Sequence, residues 1–143
     1  MRIMKLILLD TGFLFALKSE KDKRHIRANQ ILDLLLEKYN EPKLIPYLIL
    51  NETITLAISR YNGNMDYVKN YYSLFWGDEC FFKIIKIEQE AYQQIYKILE
   101  KYCNKKRKLS FTDASLIYLY KELHAKYIVS FDGHFDNIVN RVF

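Results

Sequence analysis

The stretch LSFTDASLIYLYKELHAKYIVSFDGHF, residues 109–135, decides the fold of this chain. Its first half predicts a helix, because apolar residues recur at helical spacing after a Ser or Thr start and neither Gly nor Pro interrupts them. Its second half contains the β-rich run Tyr127-Ile128-Val129, which the turn pair Asp132-Gly133 closes. Asp113 lies in the first turn of the predicted helix. In a parallel α/β sheet, Asp113 and Asp132 can therefore face one crevice outside the carboxyl ends of the strands.

The rest of the chain repeats this alternation of helix and strand patterns. The apolar run IMKLILL, residues 3–9, is typical of a strand buried on both faces of a parallel sheet. The element order β-α-α-β-α-α-β-α-α-β indicates one α/β domain over residues 1–143, with a central, mostly parallel sheet covered by helices. The other predicted strands are residues 44–45, 81–87 and an edge strand at 142–143, and the other predicted helices begin at Phe13 or span residues 22–39, 47–61, 65–76 and 88–102.

The helix predicted over residues 22–39 carries both apolar and basic side chains. Its apolar residues predict the face that packs on the sheet. Cations that cluster at the start of a helix usually form a solvated face. The side chains expected to point inward are Ile26, Ile31, Leu34, Leu35 and Leu36, and the cations expected in solvent are Lys21, Lys23, Arg24 and Arg27.

Composition limits the class of protein. The 143 residues, 50% of them hydrophobic, are enough for one domain with a sizeable core. No run of about 18 apolar residues occurs, so no membrane span is predicted. The apolar run that stops at Asp10 is too short for the core of a signal peptide, and we predict a cytoplasmic location. The net charge of +5 is compatible with an anionic partner such as nucleic acid.

The spacing of cysteines and histidines argues against a zinc site. Cys80 and Cys103 have no metal-binding spacing and form no convincing disulfide framework, so we predict reduced, structural thiols. The histidines lack an H-x-x-x-H or H-E-x-x-H arrangement. Each of them is predicted to be a surface or packing residue: His25, His124 and His134.

Two further acidic residues occupy unusual positions. Asp10 directly follows the first predicted strand, where it either caps the next helix or binds a metal at the sheet edge. Glu52 shares a helical face with Leu48 and Leu56, four residues to either side. A carboxylate within an apolar stripe is costly unless it is paired or binds a metal. The alternative is that Glu52 lies at the margin of the stripe and reaches water.

These positions predict a cluster of carboxylates at one edge of the sheet. Crowded carboxylates raise one another's pKa values and destabilise the fold unless a cation is present. Oxygen ligands without Cys or His favour Mg²⁺ or Mn²⁺ over Zn²⁺, and the chemistry that such a site supports is phosphodiester hydrolysis. The predicted cluster is Asp10, Glu52, Asp113 and Asp132, and the hydroxyls placed to hydrogen-bond the ligands are those of Thr11 and Ser130.

Two other segments have open interpretations. The run NKKRK, residues 104–108, leads directly into the helix of Asp113, where it is either a solvated connector or a contact for RNA phosphate. The aromatic residues of helix 65–76 are more typical of a core or self-association face than of a base-stacking surface. The cations predicted to contact RNA are Lys105, Lys106, Arg107 and Lys108.

Four segments together resemble a known family. LLDTGFLFAL, LNETITLAI, LSFTDASLIYLY and IVSFDGHFD occur in the order of the PIN domain, and are most similar to the VapC-type toxin ribonucleases. The resemblance implies an α/β/α sandwich and metal-dependent cleavage of single-stranded or loop RNA. It also implies dimerisation and inhibition by a small antitoxin. By resemblance, Asp10, Glu52, Asp113 and Asp132 are the catalytic acids, and Asp10, Asp113 and Asp132 bind Mg²⁺ or Mn²⁺. The resemblance also implies that the Ser130 hydroxyl supports the site and that Asp136 is a further acid beside it.

Competing interpretations remain. The chain can be a noncatalytic RNA- or protein-binding module, or a PIN nuclease that processes RNA without an antitoxin. In a noncatalytic module the acids serve as helix caps, and the spacing Ser110-x-x-Asp113 is that of a capping box. Capping explains Asp113 and Asp10 but leaves Glu52 unexplained. A glycosidase with paired carboxylates is less favoured, because a small domain with one tryptophan offers little for sugar stacking.

Overall fold

Helices and strands alternate in the predicted order. The computed structural model describes residues 5–143. A short 3-10 turn at Gln89–Ala91 precedes the fifth helix, and another at Gly133–Phe135 follows the fourth strand. The strands are β1 Ile7–Leu9, β2 Lys43–Pro46, β3 Lys83–Ile85, β4 Tyr127–Val129 and β5 Arg141–Val142. The helices are α1 Thr11–Lys18, α2 His25–Glu37, α3 Tyr47–Arg60, α4 Met65–Trp76, α5 Tyr92–Tyr102 and α6 Phe111–Glu122.

The described strands form one sheet in the order β3-β2-β1-β4-β5, and every neighbouring pair is parallel. The predicted α/β class is therefore confirmed. In the central strand β1, Leu8 pairs with Leu44 on one side and with Ile128 on the other. All three β1 residues are fully buried, as expected for an apolar run in the middle of a parallel sheet. Of the strand predicted over residues 3–9, Ile3 and Met4 lie outside the described residues.

The path of the chain creates a crevice beside β1. Strands β1, β2 and β3 are added in one direction, and the chain then returns to place β4 on the other side of β1. Because parallel crossovers are right-handed, this reversal sends the two sets of helices to opposite faces of the sheet. The packing agrees, since α1 contacts α2, α3 and α4 whereas α5 packs on α6. Ligands of such sheets bind where the strand order reverses, at the carboxyl ends.

The orientation predicted for helix α2 is partly wrong. Ala28, Ile31 and Leu35 are buried at helical spacing, whereas Ile26 is 74% exposed and Leu36 is 58% exposed. Ile26 lies two positions before Ala28, which is about 200° around the helix axis, and Leu36 lies about 100° past Leu35. A single apolar stripe therefore cannot include all five of the residues that were expected to point inward.

Helix α4 has the predicted bounds, and its aromatic residues divide between core and surface. Tyr71 is buried in a small cluster between α1, α3 and α4, where its ring stacks on Phe15 at a centroid distance of 5.1 Å. Tyr72 and Trp76 stack on each other at 4.6 Å and are more than half exposed. Within residues 5–143, no helix combines the length and the apolar character that crossing a membrane requires.

Candidate active site

A cavity of about 580 Å³ opens at the carboxyl ends of β1 and β4. It lies at the reversal of strand order, where ligands of parallel sheets collect. All four predicted acids line it, although they come from widely separated parts of the sequence. The acids are Asp10, Glu52, Asp113 and Asp132, and we call the space between them the acidic cavity. Its other lining residues are Thr11, Gly12, Arg24, Leu56, Ser110, Phe131 and Gly133.

Asp10 has both of the roles between which the sequence left a choice. It is the N-cap of α1, and its Oδ1 accepts a hydrogen bond of 2.8 Å from the backbone N–H of Thr11. It also lines the acidic cavity while only 7% exposed. The pKa of Asp10 is raised to about 7, chiefly by burial and then by the nearby charges of Asp113 and Glu52, against the hydrogen bonds from Ser130 and Thr11. When no metal is bound, ionisation of Asp10 therefore lowers the free energy of unfolding.

Ser130 joins the ends of the two central strands. Its buried hydroxyl donates to Asp10 Oδ2 at 2.6 Å and accepts from the backbone N–H of Asp132 at 3.0 Å. Thr11 also lines the cavity, and its buried Oγ1 has no hydrogen-bond partner among residues 5–143. Ser130 thus hydrogen-bonds an acid from the position where the sequence placed it, whereas the Thr11 hydroxyl makes no such bond among the described residues.

Asp113 forms the capping box that the spacing predicted. The backbone N–H of Ser110 donates to Asp113 Oδ2 at 2.9 Å, and the Ser110 hydroxyl accepts from the N–H of Asp113 at 3.0 Å. Burial raises the pKa of Asp113, opposed chiefly by the Ser110 N–H and then by the charge of His134. Asp113 is therefore a cap that also presents a carboxylate to the acidic cavity.

Glu52 lies at the margin of the buried stripe of α3, which consists of Ile49, Thr53 and Ala57. Its half-buried side chain lines the acidic cavity together with Leu56, one turn further along the helix. No hydrogen bond or ion pair satisfies its carboxylate in the described part of the chain. Glu52 therefore faces the cavity as a free acceptor, which helix capping does not explain.

The family is decided by a match that spans nearly the whole chain. The model of the PIN domain matches residues 7–140. The chain belongs to the PIN domain family. PIN domains are generally nucleases, and they typically use divalent metal ions. No curated protein sequence matches the chain.

Solved structures share the fold of this PIN domain. VapC20 of Mycobacterium tuberculosis, described as a sarcin–ricin loop cleaving toxin, superposes with a TM-score of 0.71 at 21% identity, over 89% of this chain and 90% of that one. FitAcB of Neisseria gonorrhoeae gives 0.67 at 17% identity, over 96% and 97%. A toxin–antitoxin complex from Klebsiella pneumoniae gives 0.64 at 18% identity, over 96% of both chains. At these identities the similarity establishes the α/β/α fold, as predicted.

Two side chains at the site of this PIN domain were not predicted. His134 Nε2 lies 2.9 Å from Asp132 Oδ2 and 3.1 Å from Asp113 Oδ2, although neither contact has the geometry of a hydrogen bond. A protonated His134 would thus be a counter-charge for both acids. Arg24, expected on a solvated face, lines the acidic cavity with its guanidinium 5.3 Å from the centre of the Phe131 ring.

Other predicted residues lie outside the acidic cavity. Asp136 forms an ion pair with Arg141, with 2.8 Å between Oδ1 and Nε, and Arg141 holds the pKa of Asp136 below its ordinary value. The basic run forms an ordered turn in which the Asn104 side chain accepts from the N–H groups of residues 106 and 107. Arg107 donates to the Asp136 carbonyl at 3.1 Å. The lysines of this turn are exposed to solvent: Lys105, Lys106 and Lys108.

The donor set suits a hard divalent cation. Within the described residues, no three His, Cys, Asp or Glu side chains converge closely enough to hold a metal as they stand. The cavity is nevertheless lined by four carboxylates and by no thiol. Mutual repulsion raises the pKa values of Asp10 and Asp113 in part, and a cation would remove that repulsion. Oxygen donors of this kind favour Mg²⁺ or Mn²⁺.

Proposed function

We propose that this PIN domain is a metal-dependent endoribonuclease that hydrolyses phosphodiester bonds in single-stranded or loop RNA, and that it acts as the toxin of a toxin–antitoxin pair. The supporting observation is the acidic cavity. Carboxylates from four separate segments meet there, and one of them has its pKa raised to about 7 by burial and by its neighbours. Such an arrangement destabilises a protein that has no use for it, whereas metal-assisted phosphodiester hydrolysis uses carboxylates of this kind to hold its cation.

Each side chain has a role that follows from its surroundings. Asp10, Asp113 and Asp132 would hold Mg²⁺ or Mn²⁺, which when bound supplies the charge that activates water and stabilises the leaving oxygen. Glu52, which has no donor among the described residues, would accept a proton from the attacking water. Ser130 orients Asp10 and Asp132 through its two hydrogen bonds.

Cations near the cavity fit an RNA substrate. Arg24 makes no ion pair in the part of the chain that the structure covers, and the Phe131 ring lies beside its guanidinium at the rim. A guanidinium there would bind the phosphate next to the scissile bond. The exposed lysines of the 104–108 turn would contact the RNA backbone further away. The net charge of +5 favours the approach of an anionic chain.

A small antitoxin partner and a homodimer belong to the same proposal. Toxin–antitoxin complexes occur among the structural neighbours. The exposed stack of Tyr72 and Trp76 on α4 is a suitable face for self-association. Since its substrate would be cellular RNA, we place its action in the cytoplasm.

A noncatalytic RNA-binding module is the alternative. The capping box of Asp113 and the cap at Asp10 favour it, because both acids have structural roles without a metal. This alternative gives no reason for the free carboxylate of Glu52 beside them. A nuclease that processes RNA without an antitoxin would use the same site.

Asp113→Asn separates these functions. The Oδ1 of Asn can still accept the hydrogen bond that the backbone N–H of Ser110 gives to Asp113 Oδ2, so the fold and the capping box should survive. If Asp113 binds metal, titration with Mn²⁺ should raise the melting temperature of the wild type but not of the variant, and RNA cleavage should disappear. Asp136→Asn is the control, since Asp136 is paired with Arg141 outside the cavity. Equal responses to Mn²⁺, with cleavage retained, would contradict the proposal.

A further inference from the structure

Outside the carboxyl ends of β2 and β3 lies a second cavity of about 500 Å³ with mostly apolar walls. We propose that it binds the base of an unpaired nucleotide that neighbours the phosphate held in the acidic cavity. The inference rests on the proposed function, because it takes RNA as the substrate. We call this space the base cavity, and its lining residues are Tyr47, Leu48, Tyr92 and residues 84–87.

The two cavities share no lining residue, but neighbouring residues on two elements line one cavity and lie beside the other. On α3, Leu48 lines the base cavity and Glu52 lines the acidic cavity, and residues four apart lie on one face of a helix about 6 Å apart. On the other side, Ser110 lines the acidic cavity, and the next residue, Phe111, packs edge-to-face on Tyr92 at 6.1 Å. A strand of RNA can therefore extend from one cavity into the other.

The lining of the base cavity suits a nucleobase. Tyr47 is 59% exposed, Tyr92 is 46% exposed and the adjoining Phe111 is 40% exposed, so aromatic surface remains open to a ligand. Bases of any sequence stack on such surfaces. The charged residue in the lining is Lys86, and none of the lining residues is acidic, so the cavity does not repel a phosphate.

An RNA base fits these observations better than a protein segment does. β3 lies at the edge of the described sheet, and a peptide could in principle add to it. A peptide that binds at β3 would not need a site close to the carboxylates. A nucleotide whose phosphate lies among the carboxylates, by contrast, has to place its base nearby. Open aromatic rings together with a cation are the usual combination in single-strand binding sites.

The test measures RNA affinity in the Asp113→Asn background, so that cleavage does not disturb the equilibrium. The ligands are a fluorescein-labelled single-stranded RNA and an abasic oligonucleotide of the same length and charge, and the readout is fluorescence anisotropy. Tyr92→Ala should weaken RNA binding about fivefold or more and leave the abasic ligand unaffected. Tyr92→Phe should retain the affinity, because it keeps the ring. Tyr96→Ala is the control, since Tyr96 lies one turn along α5, is 58% exposed and is outside the cavity lining.

Several outcomes would overturn the inference. Equal binding of RNA and abasic ligand would show that no base is held, and equal losses for both ligands on Tyr92→Ala would assign Tyr92 to the backbone or to folding. Unchanged RNA binding together with loss of an antitoxin from the Tyr92→Ala variant would make the base cavity a protein-docking site. If the wild type cleaves RNA but Tyr92→Ala binds RNA normally, the inference fails and the proposed nuclease stands. If the wild type never cleaves but Tyr92→Ala loses base-dependent binding, the nuclease fails and the base cavity stands.

Discussion

Replacement of Asp10 by Asn should stabilise the metal-free protein, and more so at higher pH. Asp10 has its pKa raised from 3.8 to about 7, mainly by burial. The folded state therefore holds a proton that the unfolded chain releases between these two pH values, and folding loses stability as the pH rises through this window. At about 1.36 kcal/mol per pKa unit, the loss above pH 7 is about 4 kcal/mol.

The substitution removes most of this loss but not all of it. In Asp10→Asn the new side chain keeps the acceptor that caps Thr11, but its amide nitrogen cannot accept the hydrogen bond that Ser130 now donates at 2.6 Å. A lost bond of this kind costs about 1 kcal/mol. The expected net gain for Asp10→Asn is therefore about 3 kcal/mol at pH 8, or roughly 10 °C in melting temperature. Below pH 4 the gain should vanish and become a small loss.

Urea unfolding in EDTA between pH 4 and 8.5 measures this difference directly. Asp136→Asn is the matched control, because Arg141 lowers the pKa of Asp136 and its removal should act in the opposite direction. With Mn²⁺ in hundredfold excess over its dissociation constant, the wild type should gain about 2.7 kcal/mol and Asp10→Asn much less. A difference between wild type and Asp10→Asn that stays constant with pH, or a variant that is less stable at pH 8, would refute the reasoning.

Three further substitutions test other parts of the structure. Ser130→Ala removes the hydrogen bonds that join two strand ends. Urea unfolding should show a loss of about 1.5–3 kcal/mol at pH 8, where Asp10 is ionised, because a hydrogen bond to a charged group is the stronger kind. An equal loss at pH 5 would contradict this dependence on the charge of Asp10. Ile31→Ala should cost about 2–5 kcal/mol and Ile26→Ala less than about 0.5 kcal/mol, and equal losses would contradict the orientation of α2. Lys106→Ala should reduce the slope of log affinity for single-stranded RNA against log salt by about 0.7; an unchanged slope would remove Lys106 from the RNA contacts.

The features that were predictable from the sequence are those encoded locally. A continuous apolar run that ends in Asp10 indicates a central parallel strand with a carboxylate at its end. The predicted start of α6 places Asp113 in its first turn. Glu52 is identified as a candidate because it is a carboxylate between two leucines on one face of α3. Each of these requires only the residues beside it and the geometry of its element. The general rule for parallel sheets then brings their positions to one edge.

The features that were missed depend on contacts between distant segments. Asp136 follows Asp132 by four residues, but β5 brings Arg141 within 2.8 Å and pairs it away from the cavity. His134 reaches Asp113 across a 3-10 turn, and no metal-binding spacing reveals such a contact. Arg24 belongs to a run of cations, and only the start of α2 determines which of them reaches the acidic cavity.

The sheet order also has a consequence for synthesis of the protein on the ribosome. Asp10 directly follows β1. The strand β4, which pairs with β1, and the bridging Ser130 are translated more than a hundred residues later. Elongation rates of about 5–20 residues per second make this delay on the order of ten seconds. During that interval one edge of β1 is unpaired and the acidic cavity lacks Asp113 and Asp132. A nascent chain is thus unable to assemble the proposed nuclease site until the segment that carries Ser130 and Asp132 has been translated.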